Sequence, residues 1–124
     1  NGHLACFQYA HENGCPWDLE QTHSSLAKYL EEETQETLEV LESFEGADPH
    51  YDELKEELGD VLLQVLLHAQ LASENNNFNI DEIISTLKDK LIRRHPHVFG
   101  DSNAKTVEEV EKQWEEIKRQ EKLK

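Results

Sequence analysis

The chain has 124 residues, of which 31% are charged and 36% are hydrophobic, so it is long enough for one domain with a single core. Its formal net charge of −15 argues against binding to a nucleic-acid polymer or to an anionic membrane, because no basic stripe is present to neutralise phosphates. With only 5 glycines and 3 prolines, residues 1–124 are predicted to form a single helical domain.

Apolar residues recur at helical spacing along the chain, and turn residues separate the apolar segments. The pattern predicts helices over residues 3–12, about 25–44, about 51–72, about 80–95, and from 107 towards the C-terminus. Breaks fall at Asn13-Gly14, at 46–49 and at 73–77, and Pro96 ends the fourth helix. No segment alternates with period two for long enough to form a strand. The sequence therefore predicts an all-α bundle of about four to five helices.

The predicted helix over 51–72 is apolar on nearly all sides between residues 61 and 67. A helix with two apolar faces is either central in its domain or shared with a partner subunit. A lone chain of five helices has too few neighbours to cover both faces. We therefore expect the bundle to be completed by homo-oligomerisation, as a dimer or a tetramer.

Two acidic motifs, Glu32-Glu33-x-x-Glu36 and Glu57-x-x-Asp60, lie on the helices predicted over 25–44 and 51–72. At about 100° per residue, Glu33 falls within the apolar stripe of the first of these helices and Glu36 falls at its edge. That stripe comprises Leu26, Leu30, Leu41 and Phe44, flanked by Tyr29 and Val40. Glu57 and Asp60 fall on the flank of the stripe of the second helix, which comprises Leu54, Leu58, Val61, Val65 and Ala72.

A carboxylate that faces a core is costly unless something compensates its charge. Two like charges about 4 Å apart repel by roughly 4 kcal/mol at an effective dielectric constant near 20. A hard divalent cation would offset this repulsion, and Mg²⁺ prefers oxygen ligands. The alternative is a solvated acidic face, since the chain has 27 acidic residues.

Lys90 and Arg94 are four residues apart and therefore share one face of the fourth predicted helix. Cations there suit the negative C-terminal end of the helix, and they also suit a clamp for phosphates. Trp114 and Lys118 have the same spacing on the last helix, where a core tryptophan beside a surface lysine is the simpler interpretation.

Trp17 is either a packing anchor or an aromatic platform for base stacking. His68 shares the flank of Glu57 and Gln64, so it is either a polar neighbour of the acidic site or a core or interface histidine.

Five strings of residues resemble one family closely. They are Gly14-Cys15-Pro16-Trp17-Asp18-x-x-Gln21-Thr22-His23, Glu32-Glu33-x-x-Glu36, Glu56-Glu57-Leu58-Gly59-Asp60, Lys90-Leu91-Ile92-Arg93-Arg94-His95-Pro96-His97-Val98-Phe99-Gly100-Asp101 and Trp114-Glu115-Glu116-Ile117-Lys118. Together they resemble MazG, a family of nucleoside triphosphate pyrophosphohydrolases in the all-α NTP pyrophosphatase superfamily. The resemblance covers about residue 14 to the C-terminus.

The resemblance implies cleavage of a nucleoside triphosphate to the monophosphate and pyrophosphate, with Mg²⁺ as the cofactor and Mn²⁺ as a substitute. The Mg²⁺ ligands that it implies are Glu32, Glu33, Glu36, Glu57 and Asp60. The nucleotide contacts that it implies are Lys90, Arg94, Trp114 and Lys118, to which we add Trp17. A carboxylate that is not a direct ligand would take a proton from water, and the candidates are Glu32, Glu33 and Glu36. Because these groups grip phosphates, we expect broad base specificity.

Members of the family usually carry two such domains in tandem, and this chain resembles the first. One alternative is therefore a catalytically weak or inactive copy that acts in oligomerisation or regulation. Another is a related enzyme with narrow specificity, for dUTP or for phosphoribosyl-ATP. A ferritin-like di-metal oxidase would need Glu-x-x-His pairs, and the two acidic helices contain none.

Cys6 and Cys15 form neither a CxxC pair nor a disulfide framework. The sequence shows no secretory signal and no apolar run of about 18 residues, so we expect a protein of the reducing cytoplasm without a membrane span. The chain starts at Asn1 and contains no methionine. We therefore expect that a preceding segment exists in the full protein.

Overall fold

The computed structural model describes residues 12, 14, 16–45, 50–100 and 103–123. The helices in these ranges are α1 (Pro16–Glu20), α2 (His23–Glu42), a 3₁₀ turn (Ser43–Glu45), α3 (Tyr51–Glu74), α4 (Ile80–Arg94), α5 (Pro96–Phe99) and α6 (Val107–Lys122). The described residues contain no strand, so the all-α prediction is confirmed. The helix predicted over 3–12 lies outside the described residues. The chain divides into two compact units at the junction between Asn79 and Ile80.

α2 begins two residues before its predicted start because Thr22 and Ser25 form a capping box. Thr22 has an extended backbone, and its side chain accepts a hydrogen bond from the Ser25 backbone N–H at 3.0 Å. In return the Ser25 hydroxyl oxygen accepts from the Thr22 backbone N–H at 2.9 Å. Two backbone donors that the helix leaves unpaired are thereby satisfied.

α2 and α3 form an antiparallel pair in the first unit. His23, at the start of α2, contacts His68 near the end of α3, and Phe44 beyond the end of α2 packs edge-on against Tyr51 at the start of α3. Asp52 and Glu53 occupy the first turn of α3, where negative charge stabilises a helix. The residues buried between these helices and around them are Leu26, Thr37, Gln64, Leu67, Ala69 and Ala72.

The predicted apolar stripes of α2 and α3 are only partly buried: Leu26 and Ala72 are buried, and Phe44, Leu54, Val61 and Val65 are half-buried. Leu30 and Leu41 are exposed, and Leu58 is 52% exposed, whereas Thr37 and Gln64 are buried. Thr37 tolerates burial because its hydroxyl donates to the Glu33 carbonyl oxygen at 2.8 Å. The predicted stripes are therefore right only in part, because polar residues occupy some of the buried positions on the two helices.

In the second unit α4 packs against α6. The last turn of α4 carries Arg93 and Arg94, which suit the negative end of the helix and both pair with Glu121 of α6. α6 begins at Val107 because the Thr106 side chain accepts from the Glu109 backbone N–H at 3.1 Å. The helix start predicted at residue 107 is confirmed.

Several large apolar side chains remain exposed on the described helices. On α3, Leu67 is buried within the unit, but Leu62 is 55% exposed and Leu63 is also exposed. On α4, Ile84, Leu87 and Leu91 are exposed at helical spacing. No helix in the described ranges is both long enough and apolar enough to cross a membrane.

Candidate metal centre

Four carboxylates from α2 and α3 converge on one point. They are Glu33 and Glu36 of α2 and Glu57 and Asp60 of α3, and one oxygen of each lies within 4.8 Å of the corresponding oxygens of the other three. Each pair is three residues apart, so both members lie on one face of their helix. The antiparallel pairing of α2 and α3 turns these two faces towards each other, which makes one cluster from two motifs distant in sequence.

The cluster lies at the edge of the core. Glu33 and Glu57 are half-buried, whereas Glu36 and Asp60 are exposed. Glu33 Oε2 and Glu57 Oε2 are buried and accept no hydrogen bond from any residue that the structure describes. A buried polar atom without a partner is costly, so these two oxygens are available to a ligand that enters the cluster.

The proximity of the carboxylates changes their proton affinity. Burial raises the pKa of Glu33, and the negative charges of Glu36 and Asp60 raise it further. Burial, followed by the charge of Glu36, likewise raises the pKa of Glu57. The ionised cluster is therefore unfavourable by itself, and a divalent cation would remove both the repulsion and the unsatisfied oxygens. Four carboxylates with two unpartnered oxygens fit a hard cation such as Mg²⁺.

Glu32, also predicted as a ligand, is not one of the four converging residues. It is exposed and lines an open groove of about 500 Å³ together with Lys28, Glu31, Gln35 and Glu36. A second groove of about 320 Å³ is lined by Glu36 and Glu57 among others. Glu36 belongs to both grooves and to the cluster, so each groove is open to a carboxylate of the cluster.

The four predicted nucleotide contacts on α4 and α6 belong to the second unit. The Arg94 guanidinium lies 5.4 Å from the centre of the Trp114 ring, and Trp114 packs edge-on against His95 at 4.9 Å between ring centres. Lys90 is half-buried on the same helix face as Arg94. Lys118 lies 3.8 Å from Glu115 in a largely solvated pair. The structure thus brings Arg94 and Trp114 together, and Lys90 and Lys118 flank them in sequence.

Trp17 is partly exposed and packs edge-on against Tyr29, with 5.4 Å between ring centres. Tyr29 is therefore a packing partner for Trp17, as the interpretation of Trp17 as a packing anchor requires. His68 contacts His23, and helical spacing did not predict this contact. Their Nδ1 atoms are 2.7 Å apart and the rings are stacked. The antiparallel register that joins Glu33 to Glu57 also joins these histidines.

Comparison with known proteins places the chain in a family. The family described as "MazG nucleotide pyrophosphohydrolase domain" matches residues 21–99, which contain all four converging carboxylates. The chain belongs to the MazG family. It is 54% identical over 109 residues to the nucleoside triphosphate pyrophosphohydrolase/pyrophosphatase MazG of Thermotoga maritima, and 48% identical over 110 residues to the nucleoside triphosphate pyrophosphohydrolase of Escherichia coli K12.

These alignments cover 88% and 89% of this MazG chain but only 39% and 40% of the two relatives. The chain therefore spans about two fifths of their length. A crystal structure of a mazG-related protein from Thermotoga maritima has the same fold, with a TM-score of 0.73 and 26% sequence identity. That match covers 96% of this chain and 99% of the solved chain, so the domain corresponds to the whole of that structure.

Proposed function

We propose that this MazG domain hydrolyses nucleoside triphosphates to the monophosphate and pyrophosphate in a reaction that depends on Mg²⁺. The observation that carries the proposal is the convergence of Glu33, Glu36, Glu57 and Asp60, with two buried oxygens that no described residue satisfies. The names of the two relatives point to the same reaction. The chain spans only part of those proteins, so the activity is tested on this chain itself.

Glu33, Glu36, Glu57 and Asp60 would hold the metal ion, and Mn²⁺ would suit the same oxygen ligands. When bound, Mg²⁺ supplies the positive charge that offsets repulsion between the carboxylates and an anionic polyphosphate. Glu32 follows as the general base, because it is exposed and adjoins the cluster in sequence without joining it. A carboxylate that is not engaged by the cation remains free to accept a proton from the attacking water.

The cationic residues of the second unit would bind the polyphosphate. Arg94 and Lys90 lie on one face of α4, and Lys118 lies on α6 beside Trp114. Guanidinium and ammonium groups stabilise negative charge that develops on phosphate oxygens during cleavage. Trp114 and Trp17 offer aromatic surfaces to the base or sugar, and such stacking tolerates any base. We therefore propose broad rather than narrow base specificity.

We also propose that the domain works as a homo-oligomer. Leu58 and Leu62 of α3 are each more than half exposed, although α3 is the most apolar of the four long helices that the structure describes. Burial of such side chains against a second copy would remove apolar surface from water. A purely oligomerising, inactive copy of the domain is the rival function, and turnover that requires the metal would exclude it.

The products decide between this reaction and removal of the terminal phosphate. Purified chain is incubated with each common NTP and dNTP in Mg²⁺, and orthophosphate is measured with and without added inorganic pyrophosphatase. We expect a signal only with the added enzyme, together with nucleoside monophosphate, at comparable rates across bases. Orthophosphate and nucleoside diphosphate in its absence would show a γ-phosphatase, and a single preferred base would show narrow specificity.

A further inference from the structure

Glu121, near the end of α6, holds both arginines at the end of α4. Its Oε1 accepts from Arg93 Nε at 2.5 Å, and its Oε2 accepts from Arg94 Nη2 at 2.8 Å. The Glu121 side chain is 24% exposed and that of Arg94 is 16% exposed, so their contact is partly shielded from water, whereas the Arg93 side chain is 50% exposed. Hydrogen bonds from Arg94 and then from Arg93 lower the pKa of Glu121 to about 2. The carboxylate therefore stays ionised throughout the neutral range.

This contact differs from three other ion pairs among the described residues. Lys55 with Asp52, Lys118 with Glu115, and Arg119 with Glu116 each join positions three apart on one helix, and each of these side chains is at least 39% exposed. Exposed pairs of that kind contribute little to structure. The Glu121 contact instead joins two helices, across 27 residues in the case of Arg94. It therefore fixes side chains that the helix alone would leave free.

Arg94 retains hydrogen-bonding capacity after pairing with Glu121. One Nη atom is committed to the carboxylate, while its Nε is buried and donates to no residue in the part of the chain that the structure describes. The guanidinium is also held near the Trp114 ring. An arginine with a shielded, unused donor is prepared for an anionic acceptor, since guanidinium groups bind phosphate oxygens strongly.

We propose that Glu121 is a positioning residue for nucleotide binding, which fixes Arg94 beside Trp114 so that its remaining N–H groups meet the polyphosphate. This inference rests on the proposed function, because it takes Arg94 as a phosphate ligand. The physical gain is conformational. A free arginine side chain loses much rotamer freedom on binding, and Glu121 imposes that loss before the nucleotide arrives.

The first test is kinetic. In Glu121→Gln we expect KM for a dNTP to rise about tenfold while kcat stays within about twofold, since a binding contact common to ground and transition states is weakened. The matched control is Glu116→Gln, which removes the same charge from the same helix and breaks a 2.7 Å contact with Arg119. We expect its KM to be unchanged. A KM that stays the same or falls in Glu121→Gln would overturn the proposal, and a fall would mean that Glu121 competes with phosphate for Arg94.

The second test asks whether Glu121 acts through Arg94. Once Arg94→Ala is present, adding Glu121→Gln should raise KM no further, because both changes remove one contact. If the KM of the double variant instead rises by the product of the two single-variant effects, the proposal is overturned. Glu121→Asp retains the charge and should restore part of the affinity lost in Glu121→Gln. If Glu121→Gln does not fold, Glu121→Asp takes its place in the same comparison, with a smaller expected rise in KM.

A third measurement separates failure of this proposal from failure of the proposed function. In a Trp17→Phe background, the emission of Trp114 without nucleotide reports on the neighbouring guanidinium. Glu121→Gln should change that emission, and Glu116→Gln should not. If the wild type lacks turnover, the proposed function fails on its own account. If turnover is present but neither emission nor KM responds to Glu121→Gln, the positioning role is wrong.

Discussion

Neutralising one carboxylate of the cluster should stabilise the metal-free protein and abolish its response to metal. Glu33→Gln is the sharpest case, because Glu33 is half-buried and one of its oxygens lies within 4.8 Å of an oxygen from each of three other carboxylates. At that separation each pair repels by about 1 kcal/mol at the dielectric constant of water and about 3 kcal/mol at an effective value near 20. Because Glu36 and Asp60 are exposed, water screens most of this repulsion.

We expect a net gain of about 1 kcal/mol in the free energy of unfolding without metal, equivalent to a rise of about 3–6 °C in Tm for a domain of this size. Saturating Mg²⁺ reverses the order of stability. A ligand that binds only the folded state adds about 2.7 kcal/mol to the free energy of unfolding when its concentration is 100 times its Kd. Glu33→Gln should lose most of this added stability.

The assay is thermal unfolding followed by circular dichroism at pH 7, in EDTA and in excess Mg²⁺. The control is Glu31→Gln, which removes an exposed charge from the same helix outside the cluster. It should leave both the Tm in EDTA and the shift with Mg²⁺ close to those of the wild type. A sharp fall in the Tm of Glu33→Gln in EDTA, or an undiminished shift with Mg²⁺, would show that Glu33 is structural and refute the reasoning.

Three further predictions concern pH, assembly and metal removal. Burial, followed by the charge of His23, lowers the pKa of His68, so the unfolded chain binds a proton at His68 more readily than the folded protein does. The difference in unfolding free energy between wild type and His68→Gln should therefore be constant above about pH 6.5 and shift against the wild type at lower pH. Urea unfolding of both proteins at pH 7.5 and at pH 5.5 tests this. Leu62→Lys should shift sedimentation towards the monomer with helix content retained, and an unchanged sedimentation coefficient would argue against assembly through α3. Chelation of divalent cations should abolish dNTP turnover, and added Mg²⁺ should restore it. Full activity in EDTA would exclude a metal-dependent reaction.

The sequence predicted the helices well because they depend on local spacing. The period of 3.6 residues is enough to place Glu33 and Glu36 on one face of α2. It does not say which face of α3 meets α2, since that depends on a partner distant in sequence. Leu58 was predicted inside and is exposed, whereas Gln64 was treated as a flank and is buried.

Contacts between distant residues account for the other differences. Glu121 and Arg94 are 27 residues apart, and no spacing rule links positions on separate helices. The contact of His23 with His68 was not predicted for the same reason, although the register set by Glu33 and Glu57 would have indicated its partner on α3. The Thr22 capping box was also missed, because Ser25 replaces the usual glutamate or glutamine at its third position.

The α2–α3 pair also has a kinetic consequence. The two helices follow one another in the chain, and helical topologies of this kind fold fast. The carboxylates come together only when the two helices dock in register, so a cation has no assembled site in the unfolded chain. We expect metal to act after the folding barrier has been crossed, which leaves the folding rate nearly unchanged and slows unfolding. In a cell, magnesium would then govern how long each folded molecule survives rather than how quickly it forms.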